Sequence, residues 1–368
     1  MRILLIGEAS FLHNTLKAGL EALGHTVVTM SDGNNWHDAP RDIDLRRTKR
    51  WGRLGGVKVV WQILRHLPQL VGNDIVEVHN YQFVPLKYCW NSMLFAFLKR
   101  FNRRVVKGCF GDDAQIFRRQ SEGVPRYSDT FWLGRERNME QNRQRIEEVT
   151  QHGALECWRS VTHRADLLMA CLYEYWLCYD VEEYEDKLRY LPLPIVPLPK
   201  DRRCVKGGGA TVKVLVGIQP KRDFMKGAAR IAQWIEDIRR RHPERIYIRY
   251  VEGVPYEEYM RMLEESDVLV DQLYSFTPSM NSLAAMARGT VVVGGGEEDF
   301  YRFIGEEELR PIINVSPELS DSENIAQIEK ALLTEGTLQR MSRESMLFVD
   351  KYHDARKVAE EFVLKVKK

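Results

Sequence analysis

Residues 266–299, SDVLVDQLYSFTPSMNSLAAMARGTVVVGGGEED, decide how this chain is read. The run Val268–Val270 is apolar and β-branched enough for a buried strand, and Thr290–Val293 is a second. Between them, Met280–Met286 carries small and apolar residues at helical spacing. Thr277 reads as the N-cap, with Pro278 at the first helical position and Gly289 after the last turn. Such a unit presents free backbone amides at Ser279 and Met280, beside the side chains of Asn281 and Ser282. At the carboxyl edge of a parallel sheet that terminus suits a phosphate. Gly294, Gly295 and Gly296 then let a ligand approach the backbone after the second strand. The alternative is an ordinary α/β unit with a capped helix and no ligand.

Working outward, the same alternation recurs at both ends. Arg2–Ile6 is an apolar strand closed by Gly7, Phe11–Leu23 a helix ended by Gly24, and His25–Met30 the next strand. Gly7 would let a ligand sit close to the end of the first strand. Glu8, Ala9 and Ser10 follow it, so the G-x-G-x-x-G frame of nicotinamide enzymes is absent. Asp74–His79 and Arg104–Lys107 are further strands. At their ends, His79 either lines a site or satisfies a loop carbonyl, and Asp113 is either a site carboxylate or a helix N-cap. Residues 115–153 read as a charged helical insertion with an aromatic patch at Phe131 and Trp132. Leu191–Pro199, LPLPIVPLP, is extended and begins an interdomain linker running to about Gly209. A second series opens with the strand Val212–Val216 and a turn at Gly217. Lys221, Arg222 and Lys226 then cluster ahead of the helix Gly227–Arg241.

At 368 residues the chain has material for two domains, and 44% hydrophobic with 29% charged residues is an ordinary soluble composition. A net charge of +2 provides no global field to recruit nucleic acid. The six cysteines form no C-x-x-C pair, so neither a zinc site nor a redox dithiol is indicated. MRILLIGEAS enters a strand directly, without the pattern of a signal peptide, and no apolar run reaches about 18 residues. A cytoplasmic protein with reduced thiols is expected. Asp44–Arg53 (DLRRTKRWGR) and Lys99–Lys107 (KRFNRRVVK) are either solvated segments or a basic face making peripheral contact with anionic lipid, with Trp51 as anchor.

Landmarks along nearly the whole chain resemble the GT-B-type retaining glycosyltransferases of glycosyltransferase family 4. They include DIVEVH at 74–79, FGDD at 110–113, HRADLLMA at 163–170 and LPLPI at 191–195. KVLVGIQPKRDFMKG at 213–227, VPYEEYMRMLEESDVLV at 254–270, LAAMARGTVVVGGGEE at 283–298 and FVDKYHD at 348–354 continue the series. The resemblance implies an α/β GT-B fold, two Rossmann-like domains facing across a cleft. Residues 1–195 would form the acceptor domain, 196–345 the nucleotide-sugar donor domain, and 346–368 a helix crossing back. It implies retaining sugar transfer from a nucleotide-diphosphate sugar to a glycan or lipid-linked acceptor, in cell-surface polysaccharide or glycolipid synthesis, with no metal or other cofactor. Lys226 would hold the diphosphate with Lys221 or Arg222, because fixed cations stabilise the charge that builds on the leaving group. Gly7, Gly217, Ser279, Met280, Asn281, Ser282, Gly295 and Glu298 would complete donor binding, and His79 and Asp113 would join Lys226 and Arg222 in catalysis. One departure stands out. Aligned on Leu283 and the AMARG run, the family's two glutamates fall on Phe276 and Ala284, so both carboxylates are missing. Asn281 or Ser282 could supply sugar hydrogen bonds instead, and His79 could substitute for a family histidine that falls near Phe110. Two other readings follow from the departure and the architecture: a non-catalytic scaffold binding a glycan, a nucleotide or a partner protein, and a nucleotide-sugar epimerase.

Overall fold

The computed structural model describes residues 1–367 except 34–37, 48–51, 53, 138 and 219–222, together with all of their side chains but that of Phe224. The chain divides into two compact units. The first comprises Met1–Pro125, Arg135–Val196 and Ala355–Lys368, and the second Arg126–Gly134 and Pro197–Asp354.

In the first unit, seven strands form one sheet: β1 (Arg2–Ile6), β2 (Thr26–Ser31), β3 (Ile43–Asp44), β4 (Ile75–Val78), β5 (Arg104–Cys109), β6 (Leu167–Ala170) and β7 (Leu188–Tyr190). Their order is β3-β2-β1-β4-β5-β6-β7, and every neighbouring pair is parallel. A parallel sheet must be covered on both faces, which is why these strands read as almost unbroken apolar runs. One cover is the pair of helices Leu12–Ala22 and Ala355–Lys367, whose Leu16, Leu20, Val358 and Phe362 are buried with Ile3 and Leu5 of β1. A Cβ at Gly19 would lie 2.0 Å from the Ala355 carbonyl oxygen, so glycine is what allows these two backbones to touch.

The second unit holds β8 (Val212–Gly217), β9 (Ile246–Val251), β10 (Val268–Val270), β11 (Val291–Gly294) and β12 (Ile312–Asn314) in the order β9-β8-β10-β11-β12, again all parallel. The helix Ala228–Arg241 buries Ile231, Trp234, Ile235 and Ile238 in the core with Val214, Val268 and Val291. Each such side chain contributes about 1.5–3 kcal/mol of burial. In both sheets the strand order reverses once, between β1 and β4 and between β8 and β10. In open α/β sheets ligands bind outside the carboxyl ends of the strands at that reversal.

Several local expectations change. Residues 115–153 are not one helical insertion. The helices Ala114–Ser121 and Glu140–Thr150 belong to the first unit, and Arg126–Gly134 between them belongs to the second. The proline-rich stretch is not all free linker, since Leu191, Leu193 and Ile195 are buried and Ile195 O accepts from Ala355 N at 2.8 Å. Residues 346–368, expected as a helix, hold the end of the helix Thr337–Tyr352 and then a separate helix, Ala355–Lys367. A helix at Leu54–Arg65 was not expected from the sequence.

Candidate functional site

At the reversal of the second sheet, β8 ends in Gly217 and β10 is followed by Asp271. A Cβ at Gly217 would meet nothing within 4 Å among the described residues, so the backbone is open to them there. Asp271 is 3% exposed and ties the site together. Its Oδ1 lies 3.4 Å from Lys226 Nζ, and its Oδ2 accepts from Ser279 Oγ at 2.6 Å and from Ser282 Oγ. Lys226 closes the short helix Asp223–Lys226, and its carbonyl accepts from Leu273 N at 2.7 Å, which docks this turn onto the loop after β10. Gly227 follows at φ +66°, where a Cβ would strike the Tyr274 ring at 2.7 Å. The turn is therefore fixed in the backbone, while the Lys226 side chain stays 22% exposed. Its one carboxylate contact among the described residues is long at 3.4 Å, so its ammonium retains donors for a further anion.

The helix Met280–Met286 starts as expected, but its cap does not. The N-cap is Ser279, whose hydroxyl accepts from Ser282 N at 3.3 Å; Thr277 lies two residues too early. Ser279 wins because its hydroxyl can donate to Asp271 while accepting from the helix. Leu283 N is bonded to Ser279 O at 2.9 Å and Ser282 N to the Ser279 hydroxyl, so the amides of Met280 and Asn281 are left at this terminus among the described residues. The hydroxyls of Ser279 and Ser282 are committed to Asp271 rather than turned to a ligand. Asn281 keeps its amide nitrogen free of the bond that its Oδ1 accepts from Tyr259 at 2.9 Å.

Two expected donor contacts are placed elsewhere. A Cβ at Gly295 would lie 1.9 Å from Ser275 O, so that glycine accommodates the neighbouring loop and not a ligand. Glu298 is exposed and paired with Arg310, Oε1 to Nε at 2.7 Å. Lys221 and Arg222 lie outside the described residues. Phe276, at the first missing glutamate, is 2% exposed and stacks on Tyr127 with ring centroids 4.4 Å apart. Tyr127 OH donates to Glu297 at 2.7 Å, and Arg126 pairs with Asp299 at 2.6 Å and Glu318 at 3.0 Å. Arg126 and Tyr127 thus cover the loop where the carboxylate would stand. Ala284, at the second position, is half-buried.

The reversal of the first sheet is filled by its own side chains. A Cβ at Gly7, φ +85°, would lie 1.8 Å from His79 Nδ1, so the imidazole occupies the space in which a ligand was expected. That Nδ1 is buried and has no hydrogen-bond partner among the described residues. Burial, with the charge of nearby His13 adding to it, pushes His79 down to about 3 and keeps it neutral. In His13, burial alone would lower the pKa, but Glu77, 3.5 Å from Nε2, outweighs it and raises the value. Glu8 fills the terminus of the first helix, accepting from His13 N at 3.2 Å and Asn14 N at 3.2 Å. Asp113 is fully buried and is the N-cap of Ala114–Ser121, bonded to Gln115 N, Ile116 N, Tyr179 OH and Lys107 Nζ. Lys107, expected on a basic surface, is buried against that carboxylate at 2.8 Å. Beyond His79, a polar pocket of about 200 Å³ is lined by Asn80, Tyr81, Gln82, Asp112, Arg145 and Glu148.

Sequence reasoning missed Asp271, Glu8 and Tyr127. An acid immediately after the apolar run Val268–Val270 was a signal for the first, since it had to stand at the carboxyl edge. Among the described residues, no group of three His, Cys, Asp or Glu is arranged to hold a metal ion.

No protein-family model and no curated protein matches the chain. Solved structures do. WaaG, a glycosyltransferase involved in lipopolysaccharide biosynthesis, aligns over 100% of this chain and 99% of its own, with TM-score 0.60 and 11% identity. Sucrose-phosphate synthase from Thermosynechococcus elongatus aligns over 99% and 98%, with TM-score 0.59 and 13% identity. A putative UDP-N-acetylglucosamine 2-epimerase from Listeria monocytogenes aligns over 100% and 95%, with TM-score 0.53 and 10% identity. The fold is GT-B. At these identities the likeness extends to the fold alone.

Proposed function

We propose that the protein is a GT-B glycosyltransferase that takes a sugar from a nucleotide-diphosphate donor held at the second sheet's reversal. The observation that carries this reading is the cluster of Lys226, Asp271 and the Met280 and Asn281 amides at the edge where β8 leaves Gly217 open. Departure of a nucleoside diphosphate accumulates negative charge. A fixed ammonium and unpaired amides stabilise that charge without reorganising, which is where catalytic electrostatics act. Asp271 holds Lys226 and the two serines in register. Lys221 or Arg222 would add a second cation, with no metal required. The acceptor, a glycan or a lipid-linked sugar, would use the polar pocket beside His79, whose neutral imidazole cannot compete as a cation. Retention and membership of glycosyltransferase family 4 belong to this proposal. Cell-surface polysaccharide or glycolipid synthesis is the setting it suggests.

The second reading is a non-catalytic binding protein, favoured by Phe276 lying buried under Tyr127 where the family places a carboxylate. Incubation with a panel of nucleotide sugars, followed by mass and NMR analysis, separates the readings. Release of nucleoside diphosphate with a sugar of unchanged anomeric configuration supports retaining transfer. A sugar epimerised while still attached to its nucleotide identifies an epimerase. Binding without turnover identifies the scaffold.

A further inference from the structure

Neither the helix Leu54–Arg65 nor the helix Tyr88–Phe101 contains an acidic residue. Their flanking segments meet at both ends in the first unit. A Cβ at Gly56 would lie 3.9 Å from Leu86, just ahead of the second helix. At the far ends, Asn102 Nδ2 donates to Leu70 O at 2.9 Å and Gly72 N to Phe101 O at 2.9 Å. Each helix turns a narrow apolar edge inward, Val59 and Ile63 from one, Phe95 and Leu98 from the other.

Their outer side is apolar as well. Leu54, Val57, Trp61 and Leu64 are 66, 62, 53 and 57% exposed and recur at helical spacing, so they form one stripe. Trp90, Met93 and Phe101, at 44, 62 and 49%, add large apolar side chains from the second helix. Single exposed apolar residues are ordinary, but a row of them marks a contact surface. Lys58, Arg65, Lys87, Arg100 and Arg103 stand on or beside the same helices, and none makes an ion pair among the described residues. The guanidinium carbons of Arg65 and Arg100 sit 5.2 and 5.6 Å from the ring centroids of Trp61 and Phe101. Nearby basic residues behave differently: Lys99 and Arg104 are paired with Asp166, and Arg46 with Asp44.

We propose that this two-helix face binds an anionic bilayer, with the apolar stripe entering the head-group boundary and the unpaired cations resting on lipid phosphates. The proposal is independent of sugar transfer. It also replaces the basic segments read from the sequence, of which Arg50, Trp51 and Arg53 lie outside the described residues. A second copy of the chain fits poorly here, because a two-fold contact would set the same acid-free face against itself. Among the described residues no helix is long and apolar enough to cross a membrane, so contact would be confined to the surface.

Co-sedimentation of the full chain with vesicles tests the proposal. Vesicles of equal parts phosphatidylglycerol and phosphatidylcholine should carry the protein down, and vesicles of phosphatidylcholine alone should not. The triple variant Arg65→Ala, Lys87→Ala, Arg100→Ala should lower partition by on the order of 100-fold, at about 1 kcal/mol per cation. Trp61→Ser with Leu64→Ser should lower it by about tenfold or more. Both variants alter exposed side chains, so an unchanged melting temperature confirms that the fold is kept. Equal pelleting of the variants and the parent, or no pelleting with anionic vesicles, overturns the proposal. So does a dimer in vesicle-free solution that the Trp61 and Leu64 changes dissolve, which would assign the face to a second copy.

Discussion

The two sheets end in the same sequence signal and put it to opposite uses. Each opens with an apolar strand closed by glycine, Gly7 after β1 and Gly217 at the end of β8, and each glycine lies at a reversal of strand order. In the first unit the space beside the glycine is taken by the His79 imidazole, and the next helix terminus is taken by the Glu8 carboxylate. In the second unit nothing among the described residues stands within 4 Å of the missing Cβ, and the helix amides of Met280 and Asn281 are left after the cap and the first backbone bond. A glycine at a strand end therefore reports a close approach without saying what approaches. The side chains that follow in space decide between a ligand and the protein itself.

The largest expected effect breaks that comparison at the filled edge. Gly7→Ala places a methyl inside the His79 ring and requires a left-handed backbone from a residue that resists it. It should destabilise the first unit by about 3 kcal/mol or more, measured by denaturant unfolding. A near-neutral result would mean that His79 is free to leave, and that this edge is as open as the other.

Next in size is Asp271→Asn, which weakens the hold on Lys226 and two hydroxyls at a buried position. A loss of about 1–3 kcal/mol is expected. No change in stability would mean that Asp271 does not organise the second edge.

Acidity sharpens the contrast further. The native His79 stays neutral down to about 3, whereas in the unfolded chain it takes a proton near its ordinary value of about 6.5. The unfolded state then binds more protons between those values, so stability falls as pH drops through the window, by up to about 1.4 kcal/mol per pH unit. His13, whose value is raised, acts in the opposite sense and above about 6.5, where its stabilisation is lost as pH rises through its folded value. Between pH 6.5 and the carboxylate range, urea unfolding of His79→Gln should show a flatter slope than the parent. An unchanged slope would place the His79 ring in contact with water.

The smallest effect belongs to the open edge. Gly217→Ala should shift stability by no more than about 0.5 kcal/mol, the usual range for changes that meet nothing. A large loss would mean that the space beside Gly217 is already filled.

Much of this was legible because periodicity reports burial directly. Val268–Val270 and Met280–Met286 stand where their patterns put them. What escaped depended on partners distant in the chain. Thr277 and Pro278 have the local chemistry of a helix start, yet the cap moved to Ser279 because Asp271, eight residues upstream, offers its hydroxyl an acceptor. The buried Tyr127 could not be anticipated, since Phe276 and Glu297 lie far along the chain. The helix Leu54–Arg65 was missed for a different reason: its apolar residues occupy both sides, which hides the one-faced period of a buried helix.

Lys226 bears the central claim most directly. Calorimetric titration with a panel of nucleoside diphosphates, on the parent and on Lys226→Ala, measures whether the second edge holds a diphosphate. The parent should bind at least one of them, and the variant should bind it about tenfold more weakly or worse, since a charged hydrogen bond is worth about 1.5–3 kcal/mol. The melting temperature of the unliganded variant should barely move, because the Lys226 contact with Asp271 is long at 3.4 Å and the carboxylate keeps both serine hydroxyls. Equal affinity in the two proteins would contradict a donor site at Lys226.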